Sequence, residues 1–260
     1  MTGKPAQPIH KAESLYKGEA IERGFRALAC FTPERPVWSL EALAASTRVP
    51  RATLLGILNT LVRHGMLRRR ADGMYILGFT WLQLGALRRN QVDLRMIAQP
   101  IMRRVRDAVD ETVILSVRDG DQRVHVDYVE SLQHFRRLSQ IGNSRPLHVG
   151  AAGLALLANL PPRALADYMA RLKSAADAAE IDRVEASLAA VRRDGVATVI
   201  GTVLAQTAAV SAGVRLYSGE CVAFSISCPT ERIDKPRAAE FAVLVRHAID
   251  EIAHQLGGAA

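Results

Sequence analysis

The stretch from Ser39 to Gly78, SLEALAASTRVPRATLLGILNTLVRHGMLRRRADGMYILG, constrains the fold of this chain more than any other. Ser39 suits an N-cap, and Leu40, Leu43 and Ala44 recur at the spacing of one apolar stripe on a short helix. Thr47, Arg48 and Val49 break the pattern. Pro50 then opens a second helix, where its missing N–H costs little. In that helix Leu54, Ile57, Leu58, Leu61 and Val62 define a buried face, leaving Ala52, Thr53, Gly56, Asn59, Thr60 and Arg63 opposite. Gly65 ends it, and Leu67 to Arg70 and Met74 to Leu77 form two strands around an Asp72-Gly73 turn. Two helices, a tight turn and a basic hairpin read as a winged helix-turn-helix. A plain helical bundle is the alternative, but it leaves Arg68, Arg69 and Arg70 unexplained.

Such a unit docks with the N-terminal residues of its second helix at base edges. Arg51, Thr53 and Gly56 are therefore expected nearest the bases, with Arg48, Asn59 and the wing arginines Arg68, Arg69 and Arg70 on phosphates and groove edges. Gly56 costs about 1 kcal/mol against Ala inside a helix. That cost is understandable where the backbone must approach something closely.

At 260 residues the chain has room for two domains. Its formal charge of +8 is unevenly placed: residues 1–78 hold 12 Lys and Arg against 6 Asp and Glu, and the remainder is nearly balanced. A basic excess on the helix-turn-helix suits a polyanion, because Lys and Arg that neutralise phosphates release condensed counterions. Three cysteines, Cys30, Cys221 and Cys228, have no metal-ligand spacing, which predicts a reduced, cytoplasmic protein with no metal or cofactor. The first twenty residues lack the apolar core of a secretory signal, and polar residues interrupt the apolar run 196–214, so no membrane partner is expected.

Residues 1–20 read as a flexible arm, 21–78 as the winged helix-turn-helix, 79–95 as a linker helix and 96–260 as a second domain. The first helix begins at Ile21, with Phe25, Leu28 and Ala29 on one side. Pro100 is expected to start or kink a segment. Thr112–Val117 and Arg123–Val129 flank Asp119, Gly120 and Asp121 as a hairpin, and a further strand is expected over Phe135–Gln140. Helices follow over 151–158, 162–172 and 181–193, then strands near Ala197 and over 207–214 and 221–227, and a closing helix over 235–256. Strands, helices and strands again predict an α+β domain on an antiparallel sheet.

Several segments together resemble the IclR family of bacterial transcription regulators over nearly the whole chain. They are IERGFRAL in the first helix, VPRATL opening the second helix-turn-helix helix, DGMYILG in the wing and, above all, PLHVGAAGLALLANLP from Pro146 to Pro161. RRDG before Val196 and VAFSISCP near the C-terminus add to the match. The resemblance implies an N-terminal winged helix-turn-helix, a linker helix and a GAF-like C-terminal domain that binds a small-molecule effector, in a dimer or tetramer on a palindromic double-stranded operator. It carries the effector pocket to Ala151 and Ala152 at a helix start and to Ser225 and Ser227 on the last strand. Those serines, two apart, share one strand face with Ala223 and Cys221. Leu138 is expected to line the pocket. Arg145 is a further candidate cation, with a solvated arginine beside a turn proline as its alternative.

Departures from the family pattern matter too. Thr198 and Ala208 stand where a glyoxylate-binding relative has an acid and a thiol, Leu154 replaces a frequent Lys, and Leu55 and Gly56 replace a polar pair. The expected effector is accordingly an organic acid with an apolar or aromatic body. Small residues at a helix N-terminus admit a carboxylate to free backbone N–H groups, although tight packing alone would also select them.

An enzyme with an accessory DNA-binding domain is the alternative. It lacks support, since no nucleophile elbow, phosphate-binding loop or zinc-helix motif is present. His125 and Asp127 alternate on one strand face but have no evident nucleophile. A purely architectural DNA binder leaves the large second domain unused. Phe79, Trp81, Leu82 and Leu84 are candidate interface residues, packing within one chain being nearly as good an account.

Overall fold

The computed structural model describes residues 10–90, 93–134, 139–201 and 205–257. The chain divides into two compact units, Met1–Gln91 and Val92–Ala260.

In the first unit α1 (His10–Ala29), α2 (Leu40–Thr47) and α3 (Arg51–Arg63) precede a hairpin of β1 (Leu67–Arg69) and β2 (Tyr75–Leu77), and α4 (Thr80–Asn90) follows. Ser39 caps α2, its hydroxyl accepting from the Ala42 N–H at 3.1 Å. Arg48 turns the chain in the left-handed region, φ 55°, so α3 can lie across α2. Leu40, Leu43, Leu54 and Leu58 meet Ala27, Trp38, Leu67 and Tyr75 in one core. Trp38 exchanges backbone hydrogen bonds with Tyr75 at 3.0 and 2.7 Å, tying the segment before α2 to the wing. The first helix starts earlier than Ile21: Lys, Ala, Glu and Leu, all good helix formers, recur after Pro8, and the helix runs through the single Gly18 among them. The expected arm is thus helical from His10 on, and residues 1–9 lie outside the described residues.

The second unit runs α5 (Asp93–Val109), β3 (Thr112–Asp119), β4 (Gln122–Val129), β5 (Ser144–Pro146), α6 (Gly150–Ala158), α7 (Pro162–Ala175), α8 (Ala178–Asp194), β6 (Ala197–Ile200), β7 (Thr207–Arg215), β8 (Cys221–Pro229) and α9 (Lys235–Gln255). Among the described residues the sheet order is β5-β4-β3-β8-β7-β6, with neighbours antiparallel. Helices α5 and α9 cover one face and α6, α7 and α8 the other. Every residue of β8 is consequently buried, and polar residues on the α6 side are enclosed, where a one-sided sheet would expose them.

Two features depart from the sequence reading. Pro100 starts no new segment, since α5 continues through it; Leu94, Ala98, Ile101, Met102 and Val105 along the helix pack into the core, and that burial outweighs the lost hydrogen bond. The short outer strand is Ser144–Pro146 in place of Phe135–Gln140; Ser139 and Gln140 are not strand, and Phe135 to Leu138 lie outside the described residues.

Helix α6 lies unusually close to its surroundings. A Cβ on Gly153 would sit 2.4 Å from the Leu147 carbonyl oxygen, and one on Gly213 of β7 would sit 2.7 Å from that of Ala155. Glycine is required at both places by backbone approach. Beyond the sheet, the buried Glu111 carboxylate accepts two hydrogen bonds from Arg232, at 2.7 and 2.8 Å, joining the start of β3 to the turn after β8.

Candidate functional site

Two surfaces carry the residues of interest. On the first unit, α3 exposes Arg51, Ala52, Thr53, Gly56, Asn59, Thr60 and Arg63. A Cβ on Gly56 would meet nothing within 4 Å, so no packing inside this unit demands a glycine there. Arg51, at the start of α3, pairs with Glu41 of α2 at 3.1 Å. Glu41 is held below the ordinary carboxylate pKa, first by a backbone hydrogen bond and then by Arg51. Exposed Arg48 projects from the tight turn between the two helices.

The wing arginines are exposed but locally steadied. Arg68 stacks on Phe79, its guanidinium carbon 5.1 Å from the ring centre, and Arg69 lies 5.9 Å from that of Tyr75. Arg70 pairs with Asp72 at 3.2 Å. Exposed pairs of this kind are worth little in water, so phosphate oxygens can compete for these guanidinium groups at small cost.

In the second unit a cleft of about 80 Å³ lies between the start of α6 and the sheet. It is lined by Gly150, Ala151 and Ala152, by Ser225 and Ser227 of β8, by Ile114 and Val199, and by Arg123 and His125 of β4. No side chain caps α6, so its first N–H groups have neither an intrahelical nor a side-chain cap acceptor. Ala151 and Ala152 keep the approach to them open. The serines are already engaged. Ser225 donates to Ser211 Oγ at 2.8 Å, Ser211 to the Phe224 carbonyl at 3.1 Å and Ser227 to the Ala208 carbonyl at 3.1 Å. A ligand therefore meets oxygen lone pairs there unless the hydroxyls rotate.

The structure redraws the rest of the expected pocket. Thr198 pairs with Val210 on the opposite sheet face, so Val199, one residue on, lines the cleft. The Ala208 side chain packs into the core with α5 and α9; its backbone reaches the cleft, and Ala209 shares the serine face. Arg145 is exposed on β5 and absent from the lining. Leu138 lies outside the described residues.

Sequence reasoning passed over Arg123 and Ser116. Arg123, His125 and Ser116 are all buried, at 6%, 8% and 0% exposure. His125 and Asp127 do not share a face, because a bulge in the β3–β4 ladder sets His125 against Ser116 and Asp127 against Leu115. Asp127 accordingly accepts from Arg95 and Gln99 of α5 at 2.8 and 2.7 Å. The alternation Arg123-Val124-His125 was the available signal, and it points inward because helices cover both faces.

Burial raises the thiol pKa of Cys221, and that of Cys228 to about 12. No group of three or more metal-ligating side chains occurs among the described residues, and no described helix is long and apolar enough to cross a membrane.

Comparison with known proteins finds two family domains in the chain. The IclR helix-turn-helix domain matches residues 20–71, and the bacterial transcriptional regulator IclR C-terminal domain matches residues 88–254. An HTH-type transcriptional regulator of Mycobacterium tuberculosis is 36% identical over 187 residues, 70% of this chain and 71% of that one. Among solved structures, an IclR family regulator from Brucella abortus superposes with a TM-score of 0.80 at 22% identity, covering 97% of this chain and 100% of the other. An IclR homologue from Microbacterium hydrocarbonoxydans, complexed with 4-hydroxybenzoate, gives 0.74 at 22% identity, covering 92% and 99%. The exposed helix-turn-helix, the second unit built over a cleft and these matches lead to one conclusion: the chain belongs to the IclR family, as a DNA-binding transcriptional regulator and not an enzyme.

Proposed function

We propose that this regulator binds a palindromic operator as a homodimer or tetramer in the cytoplasm, and that a small organic acid in the cleft under α6 controls that binding. In this reading residues 21–78 hold the operator, 79–95 link, and 96–260 bind the effector. The observation that carries it is the cleft itself, where uncapped N–H groups of α6 meet Ser225 and Ser227. Such a helix start favours a carboxylate through its dipole and its orphan donors. Ile114, Val149 and Val199 offer an apolar wall for the acid's frame. A ring-bearing acid is the second reading, favoured by the 4-hydroxybenzoate in the Microbacterium homologue.

On DNA, Arg51, Thr53 and Gly56 lie nearest the bases, and Arg48, Asn59, Arg68, Arg69 and Arg70 hold phosphates and groove edges. Phe79, Leu82 and Leu84, at 62%, 71% and 45% exposure, are the apolar surface offered to a second copy; Trp81 instead donates to the Met66 carbonyl at 2.9 Å within its own unit. To alter DNA affinity the acid must bind one conformation of the assembly better than the other. Calorimetry with aliphatic and aromatic carboxylates, on wild type and on a Ser225→Ala, Ser227→Ala double variant, tests the cleft. Weaker binding by the variant is expected. Equal affinities, or no acid binding to wild type, would refute the assignment.

A further inference from the structure

Resting on the reading that places Arg51 nearest the bases, we infer that Glu41 is a specificity-determining residue for DNA: it holds the Arg51 guanidinium for a guanine edge and keeps it off the phosphate backbone.

The pair joins the two helices of the helix-turn-helix. Glu41 lies in the first turn of α2, and Arg51 is the first residue of α3. Because Cα–Cβ bonds tilt toward a helix N-terminus, the Arg51 side chain can reach past the end of α3 to α2, where its Nε donates to Glu41 Oε1 at 3.1 Å. That bond leaves the two terminal nitrogens of the guanidinium without a hydrogen bond among the described residues. Those nitrogens form the edge of the fork that matches the N7 and O6 acceptors of guanine, the commonest specific contact in the major groove. Arg51 is also the one charged side chain in the first two turns of α3, where Ala52, Thr53 and Gly56 make up the rest of the exposed face.

Folding gives no account of the pair. Both side chains are largely exposed, and an exposed pair adds little to stability in water. An acid in the first turn of α2 suits the helix dipole, but that role needs no arginine opposite it.

At a DNA surface the pair acts differently on the two kinds of site that Arg51 can reach. A guanine edge accepts hydrogen bonds but carries no net charge, so Glu41 keeps its hold on Nε while the terminal nitrogens bind the base, and exclusion of water strengthens that hold. A phosphate is an anion: it competes with Glu41 for the guanidinium and is repelled by the carboxylate, so Arg51 gains little on the backbone. The carboxylate, held below its ordinary pKa by a backbone hydrogen bond and by Arg51, stays charged at neutral pH. Like charges brought together in this way suppress the wrong contact. Specificity is a difference of affinities, and the repulsion adds to it as the attraction does.

The test selects bound duplexes from a random-sequence DNA library, in parallel for the full chain as wild type, Glu41→Gln, Arg51→Ala and the double variant. Salt-dependent binding is then measured on one selected duplex and on one lacking the selected sequence. Wild type is expected to select a guanine in each half-site whose replacement weakens binding about tenfold or more. Arg51→Ala should lose that preference. Glu41→Gln should reduce it to about threefold or less and keep the preferences at other positions. It should also bind the unselected duplex more tightly and steepen the slope of log affinity against log salt by about one, because the released arginine neutralises a phosphate. On the Arg51→Ala background, Glu41→Gln should change no base preference. Where Glu41→Gln fails to fold, Glu41→Asp keeps the acid on α2 with a shorter reach, and should lower the guanine preference. A wild type that selects no guanine, an undiminished guanine preference in the folded Glu41 variant, or a loss spread evenly over all base positions overturns the inference. A further change of preference in the double variant does the same. An Arg51→Ala protein that keeps every base preference would remove the placement of Arg51 at the bases, and the role of Glu41 with it.

Discussion

Gly56→Ala separates what α3 needs for folding from what it needs for DNA. The residue lies inside a thirteen-residue helix, is exposed, and offers open space to an added Cβ. Its carbonyl already accepts from Thr60 Oγ1 at 3.1 Å, which the methyl does not disturb. Nothing therefore offsets the ordinary gain in helix propensity, about 0.8–1 kcal/mol, and for a domain of this size that raises the melting temperature by about 4–8 °C. Both tryptophans, Trp38 and Trp81, lie in the DNA-binding unit, so tryptophan fluorescence during heating reports on that unit alone. Operator affinity is expected to fall by about tenfold or more, the scale of one spoiled base-pair contact, because the methyl intrudes where backbone meets DNA. A stability that drops would mean that something packs on Gly56 in solution, such as a second copy. Raised stability with unchanged operator affinity would refute the close approach to DNA.

Further tests probe other parts of the argument. Arg48→Gly should stabilise the DNA-binding unit in thermal melts, since Arg48 holds a left-handed backbone that costs an L-residue about 1–2 kcal/mol, yet weaken operator binding through loss of a cation. Arg69→Ala should lower the slope of log affinity against log salt by about one, uniformly across DNA sequences, as loss of a phosphate contact does. Gly213→Ala should destabilise the second unit by about 1–3 kcal/mol in urea unfolding, because its methyl meets the Ala155 carbonyl. Arg232→Met should cost about 3–5 kcal/mol, leaving Glu111 buried without its fork. Burial already raises the Glu111 pKa above its ordinary value, so the native state binds that proton more tightly than the unfolded chain does. Its contribution therefore falls as pH rises through the carboxylate range. Removing Arg232 should steepen that fall, and acidification should restore part of the variant's stability.

The winged helix-turn-helix was legible in the sequence because local signals specify it: the Ser39 cap, the 3.6-residue period of Leu54 and Leu58, and the Asp72-Gly73 turn each act within a few residues. The order of helices and strands in the second unit was legible for the same reason, together with the inward pairing of Ser225 and Ser227, which needs only the two-residue strand period. Which residues meet in the cleft was decided elsewhere. One residue of register put Val199 in the cleft and Thr198 outside it. One bulge opposite Leu115 and Ser116 turned His125 toward α6 and Asp127 toward α5, although a simple alternation assigns them one face. Arg123 reads in sequence as a surface charge on a strand, and it is buried because helices close over both faces of the sheet. Register, bulges and the covering of a face arise from contacts between segments far apart in the chain, so the local pattern determines the elements and only their packing selects the side chains that a ligand meets.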